Sequence, residues 1–266
     1  GRAAQAEALV SGLSRPGFRG PRTARDYAAT MFAEEKKAGA ETKDTEDDGG
    51  SKKGMTCFPG SASVYVKGRG PVRVDEVCLG DALLCGDAQS GHLLFSPFLG
   101  HLHREAATSA DYLSVELAAG SAALTVSHEH LVFAASSKAS RPAAVRAGAL
   151  REGDWLSRVS FDGDLHRVRI AAVSQASKQG VYCPLTECGT VVVDGVLCSC
   201  YADAVLTSAP VWFRRFAASH QVAHGALLPL RIVCRLGLGG GMGKEGIHPF
   251  CRALMALPMP TVPAVA

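Results

Sequence analysis

The stretch CFPGSASVYV, residues 57–66, opens the folded part of the chain and decides which fold is expected. It follows a polar run, ETKDTEDDGGSKKGMT at 41–56, which has almost nothing to bury and so predicts a flexible linker. From Cys57 to residue 200, frequent Val and Leu with Gly-Asp and Ser-Gly turn signals predict β structure. A cysteine therefore stands where a flexible segment is expected to meet a rigid domain.

The whole chain has the composition of a globular protein. It contains 266 residues, of which 47% are hydrophobic and 20% charged, enough for one large or two small domains and too apolar for wholesale disorder. The net charge of +3 gives no indication of a nucleic-acid binder. No apolar run reaches 18 residues, so no transmembrane helix is predicted. The nine cysteines are an odd number with irregular spacing, which does not predict a dense disulfide framework.

Charge divides the chain into three parts. Residues 1–56, with ten basic and nine acidic side chains, are interpreted as an N-terminal segment and the flexible linker. Residues 57–202 are interpreted as the β domain. The tail at 203–266 has longer apolar stretches of helical character, and from residue 201 onward it carries six basic and only two acidic residues. No signal peptide is visible.

The β domain contains an internal repeat. VRVDEVCLGDALL at 72–84 aligns without a gap with VRAGALREGDWLS at 145–157, at a constant offset of 73 residues. Each copy is expected to form a strand, a Gly-Asp turn and a second strand, with Asp81 and Asp154 in structural roles. Two such units could pack about a pseudo-two-fold axis within one domain. Cys78, Cys85, Cys183 and Cys188 fall within strand patterns and are predicted to be small core residues.

Cys57 is placed to attack the peptide bond that precedes it. An acyl shift from nitrogen to sulfur would replace the Thr56–Cys57 amide by a thioester. The reaction needs a strained or polarised amide and an acid for the departing amine, which is usually a histidine. The alternative is a buried structural cysteine, since free cysteines are among the most buried residues.

Histidines that could supply the proton lie in LTVSHEHLVF, residues 124–133. Two registers of a hydroxyl-x-x-His pattern are open: Thr125 with His128, or Ser127 with His130. Alternate residues of a strand point the same way, so the two histidines could share a face and form a metal pair. A metal site needs more ligands than two, and neither a metal nor a cofactor is predicted.

At these residues the sequence resembles the C-terminal autoprocessing domain of hedgehog proteins, also called the Hog or Hint domain. The resemblance covers residues 57–266 and does not extend to 1–56, where no hedgehog signalling domain is seen. In the tail, SHQVAHGALL (219–228) and GIHPFCRALMAL (246–257) are similar to that family's sterol-recognition region. In the β domain the similar stretches are CFPGSASVYV, DEVCLGDALL (75–84), LLFSPFLGHLHRE (93–105), LTVSHEHLVF and GVYCPLTECGTVVVDGVLCSCYA (180–202).

The resemblance implies a fold and a reaction. The fold is the all-β Hint horseshoe with its pseudo-two-fold repeat, followed by a small helical sterol-recognition tail. The activity is that of a single-turnover autocatalytic cysteine peptidase and sterol transferase, which cleaves at Thr56–Cys57 and releases the N-terminal piece as a sterol ester. Cholesterol is the usual sterol and acts as second substrate. The resemblance also implies a monomer that works in the endoplasmic reticulum or is secreted.

The resemblance assigns the family's functional residues to individual positions of this sequence. Cys57 matches the nucleophile. The family motif is Thr-x-x-His followed by Leu, and Leu131 after His130 selects the register of Ser127 and His130. Ser127 keeps a hydroxyl that can hydrogen-bond the strained amide. Cys200 matches a motif cysteine that can exchange with the nucleophile, and Cys198 is an extra neighbour.

Two positions depart from the family pattern. Thr56 replaces the usual Gly before the cysteine, and its β-branched side chain crowds the carbonyl that Cys57 must attack. His103 replaces the usual Asp, which is the expected base for the sterol hydroxyl. The alternative is that His103 is an exposed strand residue and that water resolves the thioester.

Three further activities stay open at this point. One is a Hint autoprotease resolved by thiol or water without sterol transfer, and another is a non-catalytic Hint interaction module. An intein-like splicer is disfavoured because the sequence contains no Asn. The apolar side chains of Trp212, Phe213 and Phe216 are expected to pack a helix, or to meet a membrane with Arg214 and Arg215 beside them.

Overall fold

The computed structural model describes residues 57–118, 121–160, 163–202, 220–239 and 243–256. The expected N-terminal linker, Thr56 and the segment with Trp212, Phe213 and Phe216 lie outside these residues. The elements are β1 Ser63–Val66, β2 Gly70–Arg73, β3 Ala82–Gly86, β4 Leu93–Leu117, β5 Ser121–Val126, β6 His130–Ala135, β7 Ala143–Arg146, β8 Trp155–Val159, β9 Leu165–Thr186, β10 Thr190–Val193, β11 Val196–Ala202, α1 His220–Ala226, α2 Leu228–Arg235, β12 Gly246–Ile247 and α3 Pro249–Ala256.

The internal repeat is present in the fold. β2, a single 3-10 turn and β3 recur as β7, a 3-10 turn and β8 at the same offset of 73 residues. Both intervening turns use a glycine at positive φ, 100° at Gly80 and 93° at Gly153. The carboxylate of Asp81 accepts the backbone N–H of Cys78 at 2.9 Å, and that of Asp154 accepts the N–H of Arg151 at 2.9 Å. The two aspartates therefore close equivalent turns, as expected.

Two long strands join the halves of the domain. β4 has 25 residues and β9 has 22, and they pair antiparallel from Phe98 opposite Thr186 to Leu117 opposite Ile170. β4 also pairs with β3 at one end and with β5 at the other, while β9 pairs with β8. The predicted all-β architecture with a duplicated unit is confirmed.

The core surrounds the beginning of the described chain. Cys57 and Phe58 are fully buried in the same apolar cluster as strands β6, β10 and β11, whose residues are buried along almost their whole length. Burial on both faces explains why these strands show continuous apolar runs instead of alternation. The prediction for the strand cysteines is correct for Cys85 and Cys183, but Cys78 is exposed and Cys188 only partly buried, because both stand in turns.

The tail forms the small helical unit expected from the sequence. α1 packs on β11, and Leu227 and Leu230 bury their side chains against the β domain. The opposite side of α2 exposes Leu228, Ile232 and Leu236. None of the described helices has the length and hydropathy to cross a membrane.

Candidate active site

The backbone around Cys57 is fixed on both sides. The carbonyl oxygen of Cys57 accepts the N–H of Ser127 at 2.9 Å. The next residue, Phe58, exchanges two backbone hydrogen bonds with Tyr182, at 3.0 and 2.9 Å. The residue that follows the expected scissile bond is thus held between the turn after β5 and strand β9, with its side chain inaccessible to solvent.

A tight turn brings His130 to this position. The N–H of His130 bonds the carbonyl of Ser127 at 3.1 Å, so residues 127–130 reverse direction immediately beside Cys57. The imidazole is fully buried and packs edge-on against the Phe58 ring, with a centroid distance of 4.4 Å. One short turn therefore contacts Cys57 with its first residue and Phe58 with its last.

The protonation state of His130 is determined by its surroundings. Nε2 lies 2.7 Å from the carbonyl oxygen of Ser199, and a carbonyl can only accept, so Nε2 carries the proton. Burial lowers the pKa of His130 to about 4, although the Ser199 hydrogen bond acts in the opposite direction. At neutral pH the ring is therefore neutral, and Nδ1 has a lone pair with no hydrogen-bond partner among the described residues.

The alternative register places its histidine elsewhere. Nε2 of His128 lies 3.2 Å from the side-chain nitrogen of Gln175, and the ring is only partly buried. The N–H of Thr125 lies 3.5 Å from the carboxylate of Asp194, and Thr125 lies within β5. The expectation that His128 and His130 could share a face is wrong, because the residues between Ser127 and His130 form a turn and strand alternation does not apply.

Cys183 of β9 is the thiol that adjoins Cys57. The two side chains are hydrogen-bonding neighbours, and this contact together with burial raises the pKa of Cys183 well above its ordinary value. The Cys183 sulfur also lies 3.4 Å from the carbonyl oxygen of Cys200, to which its thiol can donate. The fully buried Cys183 therefore lies between the predicted nucleophile and the backbone of Cys200.

Cys200 itself points to a different group. Its sulfur lies 3.4 Å from Oγ1 of Thr186, and burial raises its pKa above the ordinary value of a thiol. Cys198 contacts the carbonyl of Val196 at 3.6 Å. Of these buried cysteines, Cys183 is the one whose side chain contacts Cys57. Cys200 contacts Cys183 through its backbone carbonyl.

His103 is buried and paired with a carboxylate. Its exposed fraction is 3%, which contradicts the alternative that His103 is an exposed strand residue. Nε2 of His103 lies 3.0 Å from Oε1 of Glu105, and Oε2 of Glu105 accepts the hydroxyl of Thr108 at 2.9 Å. The carboxylate that the family places at position 103 is therefore absent there, but another stands two residues further on and orients the imidazole.

A bulge in β4 places His103 opposite Cys183. His101 pairs with Pro184 and His103 with Cys183, so the β4 strand has one extra residue, Leu102, at this point. Directly opposed residues of antiparallel strands project to the same face, which puts His103 beside Cys183. Cys183 is therefore the residue that neighbours both His103, across the strand pair, and Cys57.

The tail completes this end of the site. β12 adds an edge strand to β4, with Ile247 opposite His103 and Gly246 opposite Arg104. The N–H of His248 bonds the carbonyl of Leu102 at 2.8 Å. The tail segment that resembles a sterol-recognition sequence therefore lies directly alongside His103.

Two histidines of α1 have a spacing that is common among metal ligands, although the sequence analysis did not single them out. His220 and His224 of α1 have a spacing of four residues and stack at 5.6 Å. Their Nδ1 atoms are taken by the hydroxyls of Ser199 at 3.0 Å and Tyr201 at 2.7 Å. Within the described parts of the chain, no three His, Cys, Asp or Glu residues are grouped as metal ligands.

Comparison with known proteins identifies related sequences. The sequence profile of the Hint module matches residues 45–260. Sonic hedgehog protein of Danio rerio is 29% identical over 207 residues, which are 74% of this chain and 47% of the relative. Sonic hedgehog protein of Xenopus laevis is 32% identical over 183 residues, 66% of this chain and 37% of the relative. The chain thus spans less than half the length of these relatives.

Among solved structures, the solution structure of a bacterial intein-like domain from Clostridium thermocellum covers 55% of this chain and 99% of that domain, with a TM-score of 0.44 and 16% sequence identity. The crystal structure of an intein from a hyperthermophile covers 54% of this chain and 99% of that intein, with a TM-score of 0.45 and 14% identity.

Proposed function

This chain belongs to the Hint module family, and we propose that it cleaves itself at Thr56–Cys57 and transfers the N-terminal segment to a sterol. Autoprocessing is supported by the Hint profile and by the similarity to hedgehog proteins. The observation that carries the proposal is the 127–130 turn, which bonds the Cys57 carbonyl with one end and buries a neutral imidazole beside Phe58 with the other.

The first step moves one proton and exchanges one bond. The Cys57 sulfur attacks the carbonyl carbon of Thr56, and its thiol proton passes to Nδ1 of His130. The C–N bond then breaks, and His130 returns the proton to the departing amine of Cys57. Because His130 is neutral before the reaction, it first acts as a base. The acid that the sequence predicts for the departing amine therefore forms only after His130 has taken the thiol proton.

The burial of His130 supports its action first as a base and then as an acid. The fixed Nε2–H leaves Nδ1 as the only ring nitrogen that can accept the thiol proton. An imidazolium formed in this dry site is a strong acid, which favours prompt transfer to the amine. The Ser127 N–H on the Cys57 carbonyl and the two Phe58–Tyr182 bonds hold the departing residue while the acyl group moves.

The second step uses His103 as base. The sterol hydroxyl attacks the thioester carbonyl while its proton passes to His103, the C–S bond breaks, and the proton then reaches the Cys57 thiolate. Glu105 orients the imidazole through the 3.0 Å contact between Oε1 and Nε2. The position of β12 opposite His103 supports a role for the tail in presenting the sterol.

The exposed side of α2 in the tail indicates the kind of partner that the protein binds. Leu228, Ile232 and Leu236 lie on the exposed side of α2, and the exposed Arg235 is beside them. Such a surface suits a sterol-containing bilayer, the source of the second substrate, with cholesterol as the expected sterol. By the resemblance to hedgehog proteins, we place the reaction in the secretory pathway.

A second candidate is an autoprotease whose thioester is resolved by water or a thiol. The observation in its favour is His103, because a histidine there replaces the carboxylate of the family pattern. The test is incubation of the purified chain with dithiothreitol, with cholesterol, or with neither, followed by mass measurement of both fragments. Sterol transfer predicts fragments of 56 and 210 residues, with the sterol mass on the shorter one.

The outcomes separate the candidates. Cleavage in dithiothreitol without any sterol adduct would identify the simple autoprotease. An uncleaved chain under all three conditions would identify a non-catalytic interaction module. A sterol adduct that forms only with Cys57 present would establish the transferase.

A further inference from the structure

A second pair of cysteines lies apart from the proposed reaction. Cys188 stands in the turn between β9 and β10 and is partly exposed, whereas Cys85 of β3 is fully buried behind it. Their side chains are hydrogen-bonding neighbours. Neither residue takes part in the steps proposed for Cys57, His130 and His103.

Thr190 ties the two cysteine segments together. Its Oγ1 lies 3.4 Å from the Cys188 sulfur and donates to the carbonyl of Gly86, the residue after Cys85, at 2.8 Å. The N–H of Gly86 also points to this hydroxyl at 3.4 Å. A single side chain thus spans the gap between the turn and β3, which fixes Cys85 and Cys188 close to each other.

Polar groups surround the Cys188 sulfur. Oγ1 of Thr186 lies at 3.5 Å, and the backbone N–H of Cys188 is anchored on the hydroxyl of Ser96 at 3.0 Å. The hydroxyls of Thr186 and Thr190 donate to the carbonyls of Thr190 and Gly86 at 2.8 Å, so either can donate to a Cys188 thiolate only by giving up that bond. Contact with Cys85 lowers the pKa of Cys188, while burial raises that of Cys85. The accessible thiol is therefore the better nucleophile of the pair.

We propose that Cys188 and Cys85 form a redox-active dithiol, which low-molecular-weight disulfides such as glutathione disulfide oxidise to an internal disulfide. The Cys188 thiolate attacks one glutathione sulfur, a mixed disulfide forms, and one glutathione thiolate leaves. Cys85 then loses its proton and attacks the Cys188 sulfur, and the second glutathione leaves. The two cysteines together lose two electrons, and glutathione disulfide is reduced to two thiols.

The inference goes beyond self-cleavage, because the disulfide joins β3 to the β9–β10 turn and leaves Cys57 free. It is tested on the full chain carrying Cys57→Ala, which stays uncleaved and has one thiol fewer. After incubation with glutathione disulfide, the remaining thiols are alkylated and the protein is mapped by mass spectrometry. At Cys85 and Cys188 we expect the loss of both free thiols, no retained glutathione, and a cross-link between them that dithiothreitol reverses; the exposed Cys78 can bind glutathione separately and is mapped apart.

Single variants separate the two steps. Cys85→Ala should stop at the mixed disulfide, with one glutathione on Cys188, and Cys188→Ala should take up no glutathione at Cys85, because Cys85 is inaccessible. Cys198→Ala, which removes a buried thiol of β11, should behave like the parent. A cross-link between another pair, or unchanged oxidation in Cys188→Ala, would overturn the proposal.

A thermal measurement on the Cys57→Ala parent tests the disulfide even if the single variants fold poorly. Oxidation of the Cys57→Ala parent should raise its Tm, because the disulfide closes a long loop and restricts the unfolded chain. Reduction with dithiothreitol should restore the original Tm. Oxidation that leaves both the Tm and the number of free thiols unchanged would contradict the proposed dithiol.

Discussion

Nε2 of His130 lies 2.7 Å from the carbonyl oxygen of Ser199, far along the chain in β11. This hydrogen bond fixes both the tautomer and the orientation of a ring whose other face packs on Phe58. The proposed proton carrier is thus positioned by a strand that plays no chemical part itself. Any change in the β6–β11 contact is expected to affect the first step before it affects the fold.

The nucleophile gives the simplest prediction. Cys57→Ala should abolish cleavage, both in dithiothreitol and with sterol, because Cys57 is attached to the scissile amide. The measurement is the mass of the purified chain after prolonged incubation. Cys198→Ala is the matched control, a buried cysteine in the same core that should leave cleavage intact. Equal cleavage of the two variants would refute the assignment.

The register of the histidine motif is tested by two neighbouring substitutions. His130→Ala should slow thioester formation by about 10²–10⁴-fold, the usual contribution of a general acid–base group. His128→Ala should have little effect, because that ring contacts Gln175 at the surface of the site. The readout is the rate of fragment release in dithiothreitol. If His128→Ala were the slow variant, Thr125 and His128 would be the working pair.

Stability should depend on pH through His130. Its pKa is about 4 in the folded chain and about 6.5 in the unfolded chain, so the unfolded state binds more protons between these values. The free energy of unfolding is therefore highest above pH 6.5 and decreases as the pH falls toward 4. The loss from this group is about 3 kcal/mol.

Chemical denaturation of the Cys57→Ala chain from pH 7 to pH 4 measures that slope. In the same background His130→Gln should flatten it, because the glutamine amide can still donate to Ser199 but does not titrate. Burial also lowers the pKa of His101 and His220, so a residual slope is expected in the variant. An identical slope with and without His130 would contradict the assigned pKa.

His103 should show a split phenotype. His103→Ala should retain cleavage in dithiothreitol and lose sterol-dependent release, since a thiol reagent needs no base at this position. His103→Asp should keep some sterol transfer, and Glu105→Gln should weaken it by removing the charge that orients the imidazole. The assay quantifies sterol ester by mass. Undiminished ester from His103→Ala would exclude this residue from the mechanism.

The edge strand of the tail is tested by truncation. A chain that ends at Gly239 lacks β12 and α3, and with them the contact opposite His103. It should still cleave in dithiothreitol but yield little sterol ester. Lys244→Ala in the full chain, an exposed residue next to this strand, is the control that should retain both activities. Full ester yield from the truncated chain would show that β12 is not needed.

Local patterns in the sequence were sufficient for several features. The offset of 73 residues identified the repeated strands and the aspartates that close their turns, because a turn of this kind depends on adjacent residues. The polar-to-apolar boundary identified Cys57 as the start of the core. The resemblance to the hedgehog family, through Leu131 after His130, favoured the register in which the buried histidine is His130, and the structure places that ring, not His128, next to Phe58.

The features that could not be predicted depend on distant contacts. Cys183 resembles any small strand residue, and its approach to Cys57 arises from the pairing of β4 with β9. Glu105 could be noticed only as a carboxylate two residues after His103, and the bulge at Leu102 has no signature in composition. The addition of β12 to β4 likewise joins segments that are remote in sequence, where periodicity carries no information.

The hydrogen bonds between Phe58 and Tyr182 also have a consequence for timing. The first residues of the β domain are held by one of its last strands, so the environment of Cys57 cannot assemble until nearly the whole domain has been synthesised. Contacts of such large sequence separation form slowly. If the chain cleaves itself as proposed, the segment before Cys57 leaves the ribosome long before the Thr56–Cys57 bond can be broken.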